Sequence, residues 1–188
     1  MNRMLRTSAT AAALIFAAAA ASRAADPIPG YVDFGRIAPS AEGKFVEVNL
    51  SEGLLKFASM FASKQEPQAA EVLRNLKLVR INVVELSDAN RSQIVARVKT
   101  VRQELETSGW TQIVNVREQP KGDDVQIFAK MRGEEAIEGL VVTVIDGNHE
   151  VVLVNIVGDI KPEQIATLAE RFNIDPLKKV DFAAAKHS

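Results

Sequence analysis

The stretch that decides the fold is "AIEGLVVTVIDGNHEVVLVNIVG", residues 136–158. Gly147-Asn148 is the residue pair favoured in a two-residue hairpin turn, and apolar runs flank it on both sides. In the first run, Val141 and Ile145 alternate with Leu140, Val142 and Val144. In the second, Val151, Leu153 and Val157 alternate with Val152, Val154 and Ile156. A strand whose two faces are both apolar belongs in the middle of a sheet and is covered on both sides. Residues 137–146 and 149–157 are therefore expected to form a central antiparallel hairpin.

Working outward, "WTQIVNVRE" (110–118) and "VQIFAKM" (125–131) read as two further strands joined by a polar loop. Upstream, "KFVEVNL" (44–50) alternates Val46, Val48 and Leu50 against Glu47 and Asn49, the period of a strand. Ser51 is a fitting N-cap for a helix whose stripe is Leu54, Phe57, Ala58 and Phe61. Glu66-Pro67 breaks that helix, and Ala69, Ala70, Leu73 and Leu76 form a second stripe. "LKLVRINVVEL" (76–86) is a strand with Val79, Ile81 and Val83 on one face and Arg80 and Asn82 on the other. A helix capped by Ser87 or Asp88 follows, with Ile94, Val98, Val101 and Leu105 inward and Gly109 at its end. After the hairpin, Pro162 opens a helix bearing Ile165, Leu168, Ala169 and Phe172.

The order β-α-β-α-β-β-β-β-α predicts an α+β two-layer sandwich: a mixed, mainly antiparallel sheet with about three helices packed on one face. The two helical crossovers imply partly parallel pairing early in the sheet. The second sheet face then needs the N-terminal arm, the C-terminal tail or another copy of the chain.

The first residues point to export. Arg3 and Arg6 precede an apolar run at Ala11–Ala21, and Ser22 and Ala24 give a small-x-small cleavage pattern. The expected organisation is a signal peptide at 1–24, an irregular arm at 25–43, an α+β domain at 44–175 and an irregular tail at 176–188. In the arm, Ile28, Tyr31, Phe34 and Ile37 recur every third residue, which implies docking on the core. The expected location is the bacterial periplasm or the exterior, with no stable membrane anchor after cleavage.

The chain has 23 Lys+Arg and 24 Asp+Glu; without Arg3, Arg6 and Arg23 the balance is 20 against 24, a net charge of −4. That gives no electrostatic basis for nucleic acid as a partner. There is no cysteine, which removes disulfides, thiolate metal sites, thiol nucleophiles and lipidated cysteine together. His149 and His187 are the two histidines, and neither stands in a recognised catalytic or metal-binding spacing. Glu118, Asp123 and Asp124 cluster near one loop without calcium-loop spacing. No cofactor is expected. Arg80 and Asn82, side by side on one face of a core strand, are the candidate binding residues because they could line a polar pocket on the sheet. The Gly158-Asp159 junction before Pro162 has the outline of an anion site, but it has no second glycine and Asp159 would repel an anion. It reads as a structural junction.

The run "VNLSEGLLKFAS", the central "INVVEL" and "VVLVNIVGDIKPEQIATLA" resemble the DUF4252 family, exported bacterial proteins of uncharacterised function. The resemblance covers roughly residues 45–172 and implies an exported α+β protein with no activity to carry over. The chain departs from the family pattern at Lys161, where an acidic residue is common, and in lacking the cysteine that many members use for lipidation. The function expected from these readings is that of a non-catalytic envelope protein acting through a protein partner or its own copy. The alternatives are a hydrolase using carboxylates and a carrier of an apolar small ligand.

Overall fold

The structure, a computed structural model, describes residues 28–35, 37, 43–118, 120, 122–133, 136–147, 149–161, 164 and 165. Its elements are β1 (Phe45–Ser51), α1 (Glu52–Ala62), α2 (Pro67–Asn75), β2 (Leu76–Glu85), α3 (Arg91–Thr107), β3 (Thr111–Glu118), β4 (Asp123–Arg132), β5 (Ala136–Asp146) and β6 (Glu150–Ile160). All six strands expected from the sequence form. The break at Glu66-Pro67 separates α1 from α2, with Pro67 in the first turn of α2.

The fold is α+β, built on one six-stranded open sheet in the order β1-β2-β6-β5-β4-β3. The hairpin β5–β6 is central, as its two-sided apolar pattern requires. His149 N donates to Asp146 O across the turn at 2.8 Å, and Ile145 pairs with Val151 beyond it.

Two expectations are corrected. Every strand pairing is antiparallel, so no adjacent pair is parallel. The pairings do make β2 and β3 run in the same direction. The helical crossover through α3 therefore exists, but β6, β5 and β4 come between its two strands.

The helices also do not share one face. One apolar cluster joins Leu55 of α1 and Val72 and Leu73 of α2 to Ile127, Leu140, Val142, Val154 and Ile156 of the sheet. The other joins Ile94, Val98, Val101 and Leu105 of α3 and Phe34 of the arm to Phe128, Val141, Ile145, Val151 and Leu153. Successive residues of β5 and β6 thus enter opposite clusters, as a period of two demands. The apolar back of the central hairpin is what draws α3 and the arm to the far side. The molecule has three layers.

The arm lies between the sheet and α3. Phe34 is fully buried and Ile37 nearly so, while Ile28 and Tyr31 are exposed. Val32 N donates to Asn155 Oδ1 at 2.9 Å, and Asn155 Nδ2 donates to Gly30 O at 3.0 Å. Arg97 of α3 donates through Nε to Phe34 O at 2.8 Å and through Nη2 to Asp33 O at 3.0 Å.

α3 begins later than expected. Ser87 and Asp88 precede it, and Asn90 is the residue before its first turn. The Asn90 side chain ties the entry together: its Oδ1 accepts from Ser87 N at 2.8 Å and its Nδ2 donates to Glu85 O at 2.9 Å.

Candidate functional site

β2 pairs with β1 on one side and β6 on the other, so alternate residues of three strands share each face. Glu47 stands opposite Asn82, Asn49 opposite Arg80, and Arg80 opposite Asn155. This polar row lies on the α3 and arm face, apart from the second polar group that Arg102 of α3 makes there with Thr143 and Asp124. The alternation that separates Arg80 and Asn82 from Val79 and Ile81 was legible in the sequence. The parts supplied by the arm were not.

The structure brings Arg80 and Asn82 into one cleft of about 310 Å³, lined also by Asp33, Gly35, Ile37 and Glu47. The Arg80 guanidinium lies over the Phe34 ring, 5.8 Å from its centroid, a distance within cation–π range. Its Nη1 is 3.2 Å from the Tyr31 hydroxyl and 3.5 Å from Asp33 Oδ1, and its Nη2 is 3.6 Å from Glu47 Oε1. These ion contacts are long beside the roughly 2.7–2.9 Å of a strong charge-assisted hydrogen bond. Asp33 Oδ1 also accepts from Gly35 N, and Glu47 Oε1 from Asn49 Nδ2. Asn82 is only 3% exposed, and its Oδ1 and Arg80 Nε are buried with no hydrogen-bond partner among the described residues. Unpaired buried polar atoms are scarce in native proteins, since each costs about 1–3 kcal/mol.

In the described residues the Gly158 junction is closely packed. β6 runs through Gly158 and Asp159 to Ile160. A Cβ on Gly158 would come 2.5 Å from Asn75 O and 2.8 Å from Leu76 Cα, so the glycine lets the α2–β2 corner approach the strand. Asp159 pairs with Arg132 at 2.7 Å on the surface. Lys161 N donates to Gln164 Oε1 at 3.1 Å, the return half of a capping box, although Lys161 has no capping oxygen. Pro162 lies outside the described residues, as do Leu168, Ala169, Phe172, the 176–188 tail and the 1–24 leader.

Of the acids near the β3–β4 loop, Asp124 is engaged in structure. Asp124 Oδ2 is 3.0 Å from Arg102 Nη1 and 3.6 Å from Arg117 Nε. Arg102 is buried, and its Nε donates to Thr143 Oγ1 at 2.9 Å. Burial lowers the Arg102 pKa from its ordinary value, while its bond to Asp124 pulls it back up. Among the described residues no group of three or more acids and histidines is placed to hold a metal ion.

A surface that the sequence pattern pointed the wrong way completes the picture. The α1 stripe of Leu54, Phe57, Ala58 and Phe61 faces outward, and Leu55 and Ser59 are the buried positions instead. Leu54, Phe57, Met60 and Phe61 are 54%, 59%, 69% and 69% exposed. Phe57 and Phe61 pack edge to face on that surface, with centroids 4.9 Å apart. Periodicity identified the apolar face of α1 but not what it would face.

No curated protein and no solved structure matches the chain. A family model, "Domain of unknown function (DUF4252)", matches residues 40–168, a span from just before β1 to beyond β6 that takes in both faces of the sheet, and the chain belongs to that family.

Proposed function

We propose that this is an exported, non-catalytic protein of the bacterial envelope that acts by self-association, two copies meeting through the outer face of α1. The observation that carries the reading is the row of exposed Leu54, Phe57, Met60 and Phe61 on one helix. Both faces of the central hairpin are covered by the chain's own helices and arm, and among the described residues α1 carries the most exposed of the large apolar side chains. Together the four side chains present roughly 500 Å² per copy, and two copies would bury about 1,000 Å², near the lower bound for a specific interface.

A twofold pairing suits the helix. Antiparallel α1 helices bring Leu54 of one copy to Phe61 of the other, and Glu52 to the neighbourhood of Lys64. Their macrodipoles then oppose each other favourably. The leader's basic, apolar and small-x-small pattern supports export, and the mass of the mature protein tests it. Cleavage after Ala24 gives a chain starting at Ala25, whereas an intact leader contradicts export by this route.

Sedimentation of the purified protein and of a Phe57→Glu/Phe61→Ser variant tests the association. A concentration-dependent dimer that the variant loses, with unchanged circular dichroism, is the expected result. A wild type that stays monomeric at about 100 μM, well above the micromolar dissociation constants of modest interfaces, overturns it.

A second reading rests on the cavity of about 420 Å³ between β1, α1 and α2, lined mainly by apolar residues including Leu50, Leu55, Phe61 and Leu73. It would take an apolar ligand. Saturable uptake of a fluorescent fatty-acid analogue by a Phe57→Glu variant, which leaves the cavity lining intact, supports that reading, and no uptake removes it.

A further inference from the structure

We propose that the cleft under the arm is a binding site for a small organic amine, held through its primary ammonium group by Asp33, Glu47 and Asn82. The inference is independent of the α1 surface and lies on the opposite face of the sheet.

Charge comes first. Among the described residues that line it, the cleft contains two carboxylates and one guanidinium, a formal balance of −1. Arg80 does not saturate the acids. Its contacts of 3.5 and 3.6 Å are loose and each uses one oxygen. A carboxylate offers about four acceptor directions, so Asp33 and Glu47 retain capacity. Their side chains are 71% and 39% exposed, within reach of a solute.

Hydrogen-bond accounting comes second. Asn82 contributes a buried oxygen that nothing among the described residues satisfies. A primary ammonium brings three N–H donors and no acceptor. Three acceptor groups around one cleft match that inventory. An anion would meet two carboxylates. A bare metal ion would share a 310 Å³ cleft with the Arg80 cation, and no metal-ligating cluster stands there among the described residues.

Shape comes third. The volume is at the small end of ligand pockets, about 300–1,000 Å³, and admits a molecule of a few carbons. The guanidinium, held on Phe34 and bonded to the Tyr31 hydroxyl, fixes one wall. It positions the two acids and sets the limit on the ligand's own positive charge at that end.

Calorimetric titration of the protein, purified after expression of the full chain, tests the site with three four-carbon probes: 1,4-diaminobutane, 1,4-butanediol and succinate. Saturable binding of the diamine is expected, with the diol and succinate weaker by at least tenfold, since charge-assisted hydrogen bonds are lost. Asp33→Asn and Glu47→Gln, both at exposed side chains, should each weaken the diamine roughly tenfold without moving the urea midpoint. Equal binding of the diol, stronger binding of succinate, no saturation by the diamine at millimolar concentration, or binding untouched by both substitutions overturns the proposal. An amide chemical-shift map gives an independent readout: shifts at Gly35 and Asn82 support the site, and shifts confined to α1 contradict it.

Discussion

Asn155 is a polar side chain at the centre of the most apolar strand, fully buried, and it holds the arm. Its Oδ1 takes the Val32 N–H, and its Nδ2 serves Gly30 O and Leu140 O. Removing it strands backbone groups in a dry interior. Asn155→Ala should cost about 2–4 kcal/mol, read from urea unfolding, and make the arm an early site of proteolytic cutting. Gly139 does a related job by having no side chain. A Cβ there would fall 2.6 Å from Gly30 Cα and from Trp110 Cη2. Gly139→Ala should therefore push the arm off β5 and lower stability by about 1–3 kcal/mol, the scale of overpacking. Arg102 differs in kind, because its burial already opposes its charge. In Arg102→Met, Asp124 keeps Arg117 and part of its solvent contact, so the loss should stay below about 2 kcal/mol. None of these three roles was legible beforehand. Asn155 and Gly139 sit inside strands whose pattern is otherwise apolar, and Arg102 sits among the charges of an amphipathic helix. Each acts through a neighbour far away in the chain.

At the scale of elements, strands were easier to read than helix orientation. A strand with apolar residues on alternate positions can show only two faces, so β5 and β6 declared their place directly. Helix α1 also declared an apolar stripe, yet the stripe points to solvent and Leu55 and Ser59 point inward. The Ser59 hydroxyl donates to Lys56 O one turn back at 2.6 Å, in a site that has little use for a hydroxyl. Ser59→Ala should leave the fold intact and raise stability by a few tenths of a kcal/mol, because alanine is the better helix former. The start of α1 also has a sign in pH. Lys56, by a side-chain hydrogen bond and by its charge, holds the Glu52 carboxyl below its ordinary value of 4.5. A folded-state pKa depressed in this way contributes stability above the unfolded value, and the contribution is lost as pH falls through the folded one. Between wild type and Glu52→Gln, the difference in urea midpoint should thus be small near neutrality and vanish in acid. Both groups are exposed, so salt should shrink it further.

On the scale of the whole molecule, the crossover through α3 decides the architecture. β2 and β3 run the same way but sit three strands apart, because β4, β5 and β6 fill the space between them. With α1 and α2 on one face and α3 with the arm on the other, both apolar faces of the central hairpin are closed. The arm is thus part of the core. A chain begun at Gly43 should lose Phe34, worth about 2–3 kcal/mol in burial alone, together with its hydrogen bonds. It should also bind more of a hydrophobic dye than wild type does. Unchanged stability in that truncation would show the arm to be dispensable.

The sequence by itself determined the strands, their faces, the α+β class and the central hairpin, because side-chain periodicity is a local property of the backbone. It also placed Arg80 and Asn82 side by side, for the same reason. Only the tertiary structure decided which face each helix covers, that every strand pairing is antiparallel, and that Asp33 and Glu47 close a cleft over those two residues. Those outcomes depend on contacts between segments tens of residues apart. There, the cost of leaving apolar surface or a polar group uncovered is settled across the molecule and not along the chain.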